Sequence, residues 1–331
     1  MTPSLARAGI LLATLCGLAA AVWAFDRTGL GEILAVAKRV GVGGFLLYCL
    51  YSLGVFAVLG GAWLASAPDE PVGRIGLFAW ARLVREAVAD LLPFSQIGGI
   101  VVATRLLAAD GVAGARVYAS LIVDMTTEMA GQLVFTLFGA ALLVTIVSGG
   151  GAQTLRPMIL SGAVAMIALM IAFFVAQRSL LGLATRLAGH VLPQSALAME
   201  GVEAELRRIY GRRRAVLAAF LLNLVGWVGS AAGAWIVLRL MGVELSFRAA
   251  LSIESLIFML RSVAFAVPGA IGVQEAAYAL IGPLFGLPAE SALALSLAKR
   301  ARDLAIGLPT LAIWQFGEGR ALLRGLRPSR K

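Results

Sequence analysis

Leu91-Leu92-Pro93-Phe94-Ser95-Gln96-Ile97-Gly98-Gly99 and Val267-Pro268-Gly269-Ala270-Ile271-Gly272-Val273-Gln274-Glu275 are the two stretches on which the fold turns. Each sets a proline, then an Ile-Gly pair, then amide or acid side chains inside an otherwise apolar region. Proline removes a backbone donor and glycine permits irregular turns, so both places predict a broken helix. In lipid a broken helix survives only where other protein or a polar cavity satisfies its freed groups. Two breaks in corresponding halves predict a transport site built from discontinuous helices. The plainer reading is two proline kinks in ordinary spanning helices.

The sequence around these stretches is that of a polytopic membrane protein. Of its 331 residues 60% are hydrophobic and only 14% are charged. Soluble chains average roughly 45–50% apolar. Several apolar runs reach the length of about 20 residues that a bilayer crossing requires. The net charge of +10 does not argue for nucleic acid, because 12 of the 28 Lys and Arg lie in two loop or tail clusters. Cys16 and Cys49 lie in apolar runs and imply neither a disulfide framework nor metal spacing. The single histidine, His190, sits in a polar connection, which excludes a His-based triad or His-rich metal site inside the membrane. No Walker loop, Rossmann fingerprint or HExxH motif occurs, and no cofactor or metal is implied. Arg7 and the apolar run ending at Val22-Trp23-Ala24 mimic a signal peptide, but the topology below requires an uncleaved first span.

The expectation is one integral membrane domain over 1–331, all-α, with about six full spans and two re-entrant broken-helix hairpins. Spans are expected at roughly 5–25, 42–66, 115–147, 157–177, 215–238 and 288–316. Mixed helices at 75–92 and 247–267 run into the breaks, and shorter arms return at 98–109 and 276–285. Gly229-x-x-x-Gly233 predicts close helix contact. Residues 1–151 form the first half and 152–331 the second, which contains a basic segment, 178–214. Within that segment 196–210 reads as a surface amphipathic helix. With both hairpins re-entrant, Lys and Arg fall mainly on one side, which predicts cytoplasmic N- and C-termini. One hairpin then enters from inside and the other from outside, an inverted-topology repeat.

The charges follow the same repeat. Asp124 and Glu128 follow Pro93 at the two distances at which Lys299 and Asp303 follow Pro268. Glu86 precedes Pro93 by as many residues as Arg261 precedes Pro268. Acid is therefore expected to meet base across the pseudo-twofold axis, Glu86 with Arg261 and Asp124 with Lys299. An ionisable residue at the centre of a spanning helix costs about 2.5–3.5 kcal/mol. Residues held at that cost are expected to line a protein-walled cavity, the alternative being ion pairs that only lock the helices. The expected substrate-binding set is Arg82, Arg85, Glu86, Pro93, Gln96, Gly98, Asp124, Glu128, Glu254, Arg261, Pro268, Gly272, Gln274, Glu275, Lys299, Arg300 and Asp303. Within it Arg85, Glu86, Arg261, Glu275, Lys299, Arg300 and Asp303 are expected to share one cavity, with Arg261 and Arg300 as head-group anchors. Arg groups and helix N-termini suit a phosphate or carboxylate, and the amides Gln96 and Gln274 suit hydroxyls. An unpaired acid in a dry cavity also admits a proton-coupled route.

The segments Arg82-Leu-Val-Arg85-Glu86 through Gly99, Asp124-x-x-x-Glu128-x-x-x-Gln132, Pro268 through Glu275, and Leu295-Ser-Leu-Ala-Lys299-Arg300-Ala-Arg302-Asp303 together resemble the lysylphosphatidylglycerol-synthase transmembrane family, also called flippase-like. The branch they look most like is that of the hopanoid-biosynthesis-associated membrane proteins. The resemblance implies a bacterial inner-membrane protein that translocates lipids, with a hopanoid or an anionic phospholipid as ligand. It also implies hopanoid-biosynthesis membrane proteins as partners. Two-domain relatives carry a soluble aminoacyl-transferase domain after the membrane part. This chain ends at Lys331 with a short tail, so transferase activity is not expected. The alternatives are a non-transporting scaffold or regulator of hopanoid biosynthesis, and a membrane-embedded lipid transferase.

Overall fold

A computed structural model describes residues 19, 22–91, 96–146, 164, 168, 193–263, 270 and 272–325 of the chain. All regular structure among these residues is helical. Proline-free runs give α1 (Leu30–Lys38), α2 (Gly41–Ala65), α3 (Ile75–Leu91), α4 (Gln96–Ala109) and α5 (Gly114–Ile146). They are followed by α6 (Pro193–Gly211), α7 (Arg213–Leu240), α8 (Phe247–Val263), α9 (Val273–Ile281) and α10 (Ala289–Gly325). Single 3-10 turns lie at Val72–Arg74 and Gly282–Phe285. Three helices among the described residues are long and apolar enough to cross a membrane: Gly41–Ala65, Gly114–Leu142 and Arg213–Leu240. They coincide closely with the spans expected at 42–66, 115–147 and 215–238. The span expected at 157–177 lies outside the described residues apart from Val164 and Ala168, and that at 5–25 is described only at 19 and 22–25.

Pro93 and Pro268 lie outside the described residues. The helices flanking each are separate and pack together, α4 on α3 and α9 on α8. At the first pair a Cβ on Gly99 would lie 2.4 Å from the carbonyl oxygen of Arg85, so only glycine lets α4 fold this closely onto α3.

Around these hairpins the packing is reciprocal. α2 lies against α7, α3 against α10, and α5 against α8. A Cβ on Gly60 of α2 would lie 2.4 Å from the Cα of Ala79 in α3, so the two backbones touch. On α7, Gly229 and Gly233 face Tyr51 and Tyr48 of α2, and the Tyr51 hydroxyl donates to the Gly229 carbonyl at 2.8 Å. The small-residue spacing thus receives tyrosine rings rather than a bare helix.

α6 is more than a surface helix. Its Val202, Leu206 and Ile209 are buried in one cluster with Ala119 and Val123 of α5. Its polar side grips the turn after α2: Arg208 lies 3.1 Å and Arg212 2.7 Å from Asp69. Arg116 joins the two parts, 2.6 Å from Glu70 and 3.0 Å from Glu205.

Candidate functional site

On α3, Arg82, Arg85 and Glu86 fall three and four residues apart and share one face. On α5, Asp124 and Glu128 do the same. The two guanidinium groups reach across to the two acids. Arg82 donates to Asp124 at 3.2 Å and to Glu128 at 3.1 Å. Arg85 donates to Asp124 at 3.3 Å and to Glu128 at 2.8 Å. Arg82 Nε also lies 3.0 Å from Glu86 Oε1. Arg82 is 2% exposed and Asp124 0%, whereas the side chain of Glu86 keeps 25% of its surface. From α7, Asn223 donates to Asp124 at 3.4 Å and to Thr127 at 3.1 Å, and the Trp227 indole donates to the Glu128 carbonyl at 3.2 Å.

A second cluster joins α8, α9 and α10. Lys299 donates to Glu254 at 2.6 Å and to the Tyr278 hydroxyl at 2.9 Å, and that hydroxyl donates to Glu254. All three are buried. Beside them Glu275 is fully occupied. It accepts from the Gly272 backbone N–H at 2.7 Å, from Ser296 at 3.1 Å and from Arg300 at 3.3 Å. Gln274 donates to Ser296 at 2.9 Å. Gly272 has φ +81°, a conformation that suits glycine, and this places its N–H over the Glu275 carboxylate at the start of α9.

Between the clusters lies a cavity of about 340 Å³. Its charged lining is Arg82, Glu86, Asp90, Glu128, Arg261, Lys299 and Arg302. Its aromatic lining is Tyr48, Tyr51, Phe56, Trp227 and Phe258, with Gln132 adding an amide. A smaller pocket shares Glu86, Asp90 and Arg302 with it and adds Asp303. The cations lie on aromatic faces: Lys299 is 5.1 Å and Arg261 5.9 Å from the Phe258 ring centre, and Arg302 is 5.5 Å from that of Tyr48.

The structure redistributes the expected set. Glu86, Arg261 and Lys299 line the cavity and Asp303 its side pocket. Arg85, Glu275 and Arg300, expected in the same wall, do not line it. The Arg300 guanidinium ties α10 to the first turn of α9 through Glu275 at 3.3 Å. The expected cross-repeat pairs are also corrected. Glu86 is held by arginines of its own helix, and Arg261 finds Asp90 at 3.7 Å. Asp124 and Lys299 each pair within their own half, with Arg82 and Glu254. Gly98 lies in α4, and Gln96 opens that helix.

Asp90, the aromatic residues and Asn223 were not among the expected site residues, and Arg302 was expected only as part of the basic signature for an anionic ligand. Asp90 follows Glu86 by four positions and Arg302 follows Lys299 by three, so helical spacing points to both. Asn223 is a lone amide in an apolar run, a signal of the same kind. Nothing in the sequence distinguishes Tyr48, Tyr51 and Phe56 from other aromatic residues of a spanning helix.

Chemically the cavity offers guanidinium and ammonium donors, carboxylate acceptors and ring faces within one enclosure. That suits binding and orienting a small polar group. No curated protein and no solved structure matches the chain. Residues 8–309 match the family described as Lysylphosphatidylglycerol synthase TM region. The match covers both charge clusters and the helices that carry them, and the chain belongs to this family of membrane proteins related to lipid handling.

Proposed function

We propose that the protein moves an amphiphilic lipid between the leaflets of a bacterial inner membrane, with the head group in the cavity and the tails in the surrounding bilayer. The observation that carries this reading is the enclosure of about 340 Å³ with charged and aromatic walls inside a membrane protein of this family. Each cation on its wall already has a carboxylate partner. A head group with hydroxyls or balanced charge therefore fits better than a bare phosphate, since an anion must first displace a carboxylate. A hydroxylated hopanoid meets that description more closely than an anionic phospholipid does. A scaffolding role in hopanoid biosynthesis has no observation of its own in its favour.

The architecture we infer is the inverted repeat with six spans and cytoplasmic termini. Its support is the reciprocal packing, since exchanging α3 for α8 and α5 for α10 maps α3 on α10 onto α8 on α5. Arg74, Arg116, Arg208 and Arg212 all lie around the Asp69-Glu70 turn, so these basic groups share one end of the molecule. In this topology 178–214 and the C-terminus face the cytoplasm and 148–156 face out. Single cysteines in 178–214 should resist an impermeant reagent in intact cells, and labelling there sinks the inverted repeat.

The functional test is purified protein in liposomes that carry a head-group-labelled lipid, with an impermeant quencher outside. Transport predicts that the protected inner-leaflet signal is lost only in vesicles holding the protein. Equal protection with and without protein, across hopanoid and phospholipid probes, removes the reading.

A further inference from the structure

The cluster between α3 and α5 is unbalanced. Two guanidinium groups, Arg82 and Arg85, face three carboxylates, Glu86, Asp124 and Glu128. The other cavity charges match one to one: Lys299 with Glu254, Arg261 with Asp90, and Arg302 with Asp303. One carboxylate is therefore in excess inside the protein, where an unbalanced charge is poorly solvated.

The geometry singles out which one. Glu128 receives hydrogen bonds from both arginines, one of them at 2.8 Å. Glu86 stands at the cavity wall with a quarter of its side chain open, so water in the cavity can solvate it. Asp124 has neither advantage. It is fully buried, and its contacts to Arg82, Arg85 and Asn223 are 3.2, 3.3 and 3.4 Å.

An independent feature sits beside it. Asn223 is 0% exposed and its Oδ1 has no hydrogen-bond partner among the described residues. Only Nδ2 holds the amide in its present sense, through Thr127 at 3.1 Å and Asp124 at 3.4 Å. As drawn, Nδ2 donates to the Asp124 carboxylate. Turned over, the same amide presents an acceptor to an Asp124 O–H. A carboxyl that changes protonation needs a partner able to serve both forms.

We propose that Asp124, buried behind the cavity-lining Arg82 and Glu128, is a proton-binding site. One proton adds to Oδ1, no bond is broken, and the cluster becomes neutral. Ionised and facing it are Arg82, Arg85 and Glu86 from α3 and Glu128 from its own helix; α7 contributes only the neutral Asn223. From α8, Arg261 stands across the cavity, paired with Asp90. From α6, Tyr210 bonds Thr126, and Glu205 is engaged with Arg116. From α2, Trp63 donates to Ser120 and brings no charge, and the only charge of α4, Arg105, is exposed. That the proton cycle is tied to lipid movement rests on the function proposed above; the proton site itself does not.

Infrared spectra of the purified protein in H2O and D2O test the site without any lipid. The wild type should show a carboxylic-acid C=O band that shifts in D2O. The band should be lost in Asp124→Asn and shift in Asn223→Leu, because Asn223 meets Asp124; Glu86→Gln balances the cluster and should weaken it. A band unchanged in Asp124→Asn, or unshifted in Asn223→Leu, overturns the assignment. Should Asp124→Asn not fold, an unaltered band in Asn223→Leu overturns it equally. In liposomes, wild-type transport should follow an imposed pH gradient and Asp124→Asn transport should ignore it. Wild-type transport that ignores the gradient overturns the coupling. The band without transport of any lipid removes the proposed function and leaves the proton site standing.

Discussion

The two charge clusters use one device with opposite signs. In the first, basic groups on the helix entering the break meet acids on the long helix that follows the hairpin: Arg82 and Arg85 on α3, Asp124 and Glu128 on α5. In the second, the acid is on the entering helix and the base on the long one: Glu254 on α8, Lys299 on α10. They differ in balance and in wetness. The second is one acid, one base and a tyrosine, all buried. The first has an acid too many, and Glu86 and Glu128 open onto the cavity. A buried pair contributes little net stability compared with apolar packing, yet breaking it leaves an uncompensated charge. The place of a charge along the chain therefore does not assign a role. Balance and exposure do: Lys299 reaches the cavity wall but its side chain is 3% exposed, against 25% for Glu86 and 17% for Glu128, which makes the second cluster a lock and the first a working surface.

The strongest way to break this contrast is Lys299→Met, which strands Glu254 in the core. A loss of about 3–5 kcal/mol is expected, read from unfolding in detergent micelles. Adding Glu254→Gln should recover most of it. A double variant as unstable as the single one would mean that Lys299 does more than neutralise its partner.

Next in size is Gly60→Ala, which touches neither cluster. The added Cβ meets the Ala79 backbone, so α2 and α3 must separate, at about 1–3 kcal/mol. If its thermal midpoint equals that of the wild type, the backbone contact does not set the helix spacing.

Smallest in stability is Asp90→Asn. Its one ion pair, to Arg261 at 3.7 Å, borders the cavity and should be worth about 0–1 kcal/mol. Transport should nevertheless fall, because the exchange puts an unmatched cation in the wall. Wild-type transport in a folded Asp90→Asn protein would remove this end of the cavity from the site.

Much of this was legible beforehand. The apolar runs at 42–66, 115–147 and 215–238 match helices within a few residues, the first ending just before the turn at Pro-Asp-Glu-Pro. The faces carrying Arg82, Arg85 and Glu86, and Asp124 with Glu128, follow from the helical period. The pairing does not. Equal spacing aligned Glu86 with Arg261, but which charges meet depends on how the helices are arranged in space, and that leaves no trace in spacing. The cavity's aromatic wall was equally hidden: Tyr48, Tyr51 and Phe56 acquire meaning only once α2 lies against α7. Gln274 and Glu275 were legible as important but not in kind. They bond the backbone at the start of α9 and Ser296 of α10.

The grip of α6 on the turn after α2 has a consequence for how the protein responds to its medium. Arg208 and Arg212 are 51% and 44% exposed where they meet Asp69, so counter-ions reach them. Screening acts over about 8 Å at physiological ionic strength and about 3 Å in molar salt. The interior clusters are sheltered from this. Ionic strength thus becomes a dial that loosens α6 at one end of the molecule while the charges around the cavity stay as they are.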